Sequence, residues 1–86
     1  MTSITALTVL YNGLLQGYQF QIEAMKENGM PDSSFHFRSE KMRENLTNQI
    51  GSLSQMAYDL GDHELASTFL SVATEFGSDA VTPEPL

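Results

Sequence analysis

Residues 7–22 read LTVLYNGLLQGYQFQI, a run with no Lys, Arg, Asp or Glu, and the first charged side chain after the N-terminus is Glu23. A secretory leader places a basic segment ahead of an uninterrupted apolar core. Here Thr2, Ser3, Thr5 and Thr8 come first, and Asn12, Gln16, Gln19 and Gln21 interrupt the apolar residues after them. A membrane span needs about 20 predominantly apolar residues, which these amides deny. Neither a leader nor a span is expected. With no cysteine either, the expected location is cytoplasmic.

The run has helical spacing instead. Ile4, Leu7, Tyr11, Leu14, Tyr18 and Met25 recur at intervals of three and four, widened on one side by Leu15 and Ile22. A second series, Ala6, Leu10, Gly13, Gly17, Phe20 and Ala24, repeats four, three, four, three and four residues apart. It lies roughly 110° round the helix from the first stripe. Gly13 and Gly17 form a G-x-x-x-G pair, a spacing that lets helices approach closely. Each internal Gly costs a helix about 1 kcal/mol relative to Ala, so two on one face predict a closely packed neighbour. The helix is thus apolar or small on two sides, which accounts for the missing charges.

Ser3 is the expected N-cap, and Gly29 followed by Pro31 is a stop. The spacing predicts helix 1 over 4–28. Gly29 to Arg38, GMPDSSFHFR, has loop chemistry. A second helix is expected over 39–60 with Ser39 as its cap, or from Ser33 or Ser34, since Phe35 continues the apolar phase. Met42, Leu46, Ile50, Leu53, Met56, Ala57 and Leu60 line it, and Gly61 ends it. Asp62 caps a third helix over 63–76, whose buried side is Leu65, Ala66, Phe69, Leu70, Val72, Ala73 and Phe76. Residues 1–77 then form one helical domain. The segment 78–86, acidic and holding two prolines, is expected to be a flexible or loosely docked tail.

Leu53, Gly61, Asp62, Ala66 and Ala73 also stand at the spacing of a tetratricopeptide-type helical hairpin, which this stretch resembles over one unit of about residues 50–76. Ala57 departs from the aromatic of that pattern, and no proline follows the second helix. A solenoid needs about three repeats, so the resemblance implies an αα-hairpin and not a peptide-binding array. The fold class is therefore all-α: one long helix plus an αα-hairpin.

An 86-residue chain buries only about 60–65% of its unfolded surface. Without cysteine, self-association is the common remedy for a thin core. Helices 2 and 3 can cover one stripe of helix 1. A second copy of helix 1 on Ala6, Leu10, Gly13, Gly17, Phe20 and Ala24 is the simplest cover for the other, predicting a homodimer.

The net charge is −7, and from Asn45 onward there are six acids and no Lys or Arg. Such a field repels phosphate backbones and anionic lipid, so neither direct nucleic-acid binding nor membrane binding is expected. Catalytic machinery is not legible. There is no Cys, His36 sits between two phenylalanines, and His63-Glu64 lacks the second His four residues on that a helical zinc site needs. No enzyme, cofactor or metal is expected. Arg38, Lys41 and Arg43 alternate with Glu40 and Glu44 as a mixed helix surface, with no basic recognition helix after them.

The expected function is that of a small acidic protein-interaction module, an adaptor or inhibitor acting on another protein, of the kind carried as accessory proteins by phages and mobile elements. Met30, Phe35, Phe37 and Met42 are its candidate anchors, Met and aromatic side chains being enriched at interface cores. The alternatives are a DNA mimic that blocks a nucleic-acid-binding protein, a small secretion-type chaperone, and a structural subunit of a larger complex.

Overall fold

The computed structural model describes residues 3–79 and 83–86. They form three helices, α1 (Ser3–Glu27), α2 (Asp32–Asp59) and α3 (His63–Asp79), with no strand among the described residues. The capping side chain expected of Ser3, the side chain of Ile4, and tail residues 80–82 lie outside the described part of the chain. No described helix is long and apolar enough to cross a membrane.

Both turns are built the same way. Gly29 (φ +68°) and Gly61 (φ +89°) take the left-handed conformation that glycine adopts without a Cβ penalty. Each closes its helix with paired bonds. The Met30 and Gly29 N–H groups donate to the carbonyls of Met25 (3.2 Å) and Lys26 (3.1 Å), and those of Asp62 and Gly61 to Ala57 and Tyr58 (both 3.0 Å). The orphan carbonyls at the two helix ends are thereby satisfied. Asp62 then caps α3, its Oδ1 accepting from the Leu65 N–H at 3.0 Å.

Of the two expected starts of α2, the earlier, at Ser33 or Ser34, lies within two residues of the observed one, and Ser39 does not. The helix begins at Asp32, with Pro31 (φ −56°) as its cap residue, and the Phe35 N–H donates to the Pro31 carbonyl at 2.8 Å. Pro, Asp and Ser suit the first turn of a helix as well as a loop. Ser39 lies inside the helix and donates to the His36 carbonyl at 3.0 Å.

The α2–α3 hairpin supplies most of the core. Leu46, Ile50, Leu53 and Ala57 face Ala66, Phe69, Ala73 and Phe76, and the Ser54 hydroxyl donates across to the Ala66 carbonyl at 2.7 Å. The small Ala57, Ala66 and Ala73 sit at the hairpin interface, as their size suggests. Met56, Leu60 and Leu70, expected on the buried sides, are exposed, because α1 covers only one side of the hairpin. Thr47 Oγ1 is buried with no hydrogen-bond partner among the described residues.

Across that side lies α1, parallel to α3. The Tyr11 ring meets Phe69 and the Tyr18 ring meets Phe76, each with centroids 5.3 Å apart. Leu7, Tyr11 and Leu15 are buried while Leu14 and Tyr18 are half-buried, so the covered stripe is turned slightly toward Leu15. The tail returns to the same helix. Tyr11 Oη donates to the Glu84 carbonyl (2.9 Å), Asn12 Nδ2 to the Leu86 main-chain oxygen (3.1 Å), and the Leu86 N–H to Asn12 Oδ1 (2.9 Å). Pro83 is buried beside them.

The molecule measures 45 × 26 × 16 Å with a radius of gyration of 14.0 Å, against about 12 Å for a compact chain of this length. It is long, thin and open on one side.

Candidate interaction surfaces

The open side follows the second stripe of α1. Gly13 and Gly17 are exposed, and a Cβ built on either meets nothing within 4 Å. Within one chain, then, nothing packs closely against the two glycines. Leu10 is 53% exposed and Phe20 71%, while Ala6 and Ala24 are partly covered. These are large values for apolar side chains that a helix could have turned inward.

Beyond the stripe, α1 and α2, joined by four residues, enclose a groove between them. Its wide end, about 860 Å³, lies among Phe20, Ala24 and Met25 of α1 and Met30, Phe37, Arg38, Lys41 and Met42. A narrower length of about 330 Å³ continues beside Gly13, Gly17 and Tyr18 opposite Met42, Asn45 and Gln49. Sequence spacing puts the small-residue stripe and the aromatic-Met cluster on separate surfaces. The groove brings Phe20 and Ala24 together with Met30, Phe37 and Met42. Phe35 is the exception: it is half-buried outside the groove lining, with Lys26 Nζ 5.9 Å from its ring centroid.

Phe37 is 64% exposed at the groove rim, and Lys41 Nζ stands 5.9 Å from its ring centroid. Arg38 and Lys41 are the charged side chains on the wide end, with no carboxylate lining it. Arg43 is engaged outside it by Glu40, one turn away.

The opposite end has the other sign. Parallel packing of α1 on α3 brings the start of α1 beside the hairpin tip, where Asp59, Asp62 and Glu64 cluster. Exposed Tyr58 and half-covered Asp62 flank the turn, and the His63 ring stacks on Tyr58 at 4.6 Å. His63 is thus part of the turn's packing. Exposed Met56 and Leu60 add apolar surface to this acidic tip.

Among the described residues, titration is perturbed at two tyrosines of α1, Tyr11 and Tyr18. Burial raises Tyr11 above its ordinary value. Tyr18 is raised first by burial, then by Glu40, against a lowering by Arg43. Both rings pack against phenylalanines of α3. Among the described residues, no three His, Asp or Glu side chains converge as a cation would need.

No protein-family model matches this chain, and no curated protein or solved structure is significantly similar to it.

Proposed function

We propose that this chain is a non-catalytic protein-interaction module, an adaptor or inhibitor that works by taking up a helix of another polypeptide chain in the α1/α2 groove. The observation that carries the reading is that groove, walled by the exposed Phe20 and Phe37 and floored by Met25, Met30 and Met42. Helix-in-groove recognition uses this composition, because Met and aromatic side chains fit an incoming apolar face without fixed polar partners.

The acidic hairpin tip gives the module an outward surface. Asp59, Asp62 and Glu64 surround exposed Met56, Tyr58 and Leu60, a mixture that steers encounter with a basic protein and then supplies apolar contact. This favours an inhibitor or adaptor over a structural subunit with no outward-facing partner.

Photo-crosslinking from position 37 tests the groove. A crosslinking residue there should capture a polypeptide, and Phe20→Glu should abolish capture while leaving the helical circular dichroism unchanged. Equal capture with and without Phe20→Glu removes the groove from consideration.

A further inference from the structure

From the groove's shape and charge we infer its occupant: α1 of a second copy of this chain, the two α1 helices running antiparallel about a two-fold axis that crosses their open faces at the level of Leu15. The inference rests on the reading of the groove as a helix acceptor, and adds the identity and direction of the helix.

The first observation is symmetry in the exposed face. Gly13 and Gly17 stand two residues either side of Leu15, Leu10 and Phe20 five, and Ala6 and Ala24 nine. Antiparallel pairing about that centre sets Leu10 of each copy against Phe20 of its partner, with the glycines adjacent in the middle. The exposed side chains Leu10 (53%) and Phe20 (71%) then cover each other twice. Close approach at Gly13 and Gly17 meets open space, so the axes can draw together without displacing anything in either chain. A two-fold interface requires this self-complementarity.

Spacing alone permits a parallel pair, in which each residue meets its own copy. Charge decides between them. The wide end of the groove carries Arg38 and Lys41 with no acid on its walls. The start of α1 is uncharged and lies beside the hairpin tip with Asp59, Asp62 and Glu64. Antiparallel pairing brings the acidic tip of each copy toward Arg38 and Lys41 of its partner. Parallel pairing sets basic rim against basic rim and tip against tip, which costs like-charge repulsion at both ends. The complementary arrangement is the antiparallel one.

Because the chain has no cysteine, single cysteines report the geometry cleanly. Leu10→Cys and Phe20→Cys alter exposed positions, and each variant's fold is checked by circular dichroism. Mixed under mild oxidation, they should form the 10–20 disulfide at least tenfold faster than 10–10 or 20–20. In an antiparallel pair the two copies of residue 10 lie about 15 Å apart along the helix axis, out of disulfide reach. Ser71→Cys, on the exposed side of α3, sets the rate of random collision.

Sedimentation of the native chain should give a dimer, with a dissociation constant raised at least tenfold by Arg38→Glu with Lys41→Glu. Dominant 10–10 and 20–20 products overturn the direction. A monomer that crosslinks no faster than the Ser71→Cys control overturns self-pairing, and a charge-reversed variant that dimerises as tightly as the native chain overturns the contact between the acidic tip and the partner's Arg38 and Lys41. The groove reading fails separately, when position 37 captures no polypeptide of any kind.

Discussion

The two faces of α1 share a helical repeat and meet opposite fates. One, with Leu7, Tyr11 and Leu15, is closed under the α2–α3 hairpin by paired aromatic rings. The other, with Leu10, Gly13, Gly17 and Phe20, stands open. Periodicity identifies both equally well. What separates them is side-chain volume. The closed face presents bulky groups that reach Phe69 and Phe76, while the open face alternates large and small and fits a flat, closely approaching neighbour. Hydropathy marks a face as apolar; the size pattern along it indicates what kind of surface it meets.

One substitution made on both faces breaks this comparison most sharply. Leu15→Ala removes a buried side chain and should cost about 2–5 kcal/mol. Leu10→Ala, the same chemical change on exposed surface of the same helix, should change monomer stability by about 0.5 kcal/mol or less. Denaturant unfolding of dilute protein measures both. Equal losses would mean that the open face is packed within one chain.

The glycines sharpen the contrast in the other direction. Each open glycine weakens α1, and a methyl group at either position meets nothing within 4 Å. Gly13→Ala and Gly17→Ala should therefore each stabilise the monomer by up to about 1 kcal/mol. Thermal melts of dilute protein show the gain. A loss instead would place an unseen close contact on that face within the monomer.

Local chemistry makes much of this fold legible in the sequence. Gly61 and Asp62 end one helix and begin the next through bonds spanning only a few residues, and their types announce it. The start of α2 is half legible: the apolar phase of Phe35 points to the early start, but Pro31, Asp32 and Ser33 serve a loop and a first helical turn equally, so Ser39 competes with it. The groove is half legible. Its two sets of lining residues can each be picked from spacing and type, but their convergence depends on how α1 and α2 pack after the four-residue connection, which spacing does not give. The tail contacts are beyond reach: Asn12 and Leu86 are 74 positions apart, and nothing near either one signals the other.

Those tail contacts give the smallest effect and the one with a pH signature. Tyr11→Phe keeps the ring against Phe69 but removes the hydroxyl that donates to the Glu84 carbonyl. Near neutral pH the loss should be about 1 kcal/mol. Burial raises the Tyr11 pKa in the folded chain, so the unfolded chain gives up this proton first, near the ordinary value of about 10. The tyrosine's contribution is therefore fully present below that value and is lost as pH rises through the raised folded value. Phe has no proton to lose. The stability difference between native chain and variant should hold constant up to about pH 9 and shrink above about pH 10, with the residual decline of the variant including that of Tyr18, whose pKa burial also raises. Parallel curves across that range would show that Tyr11 is as wet as the open face, and that the tail does not seal the closed one.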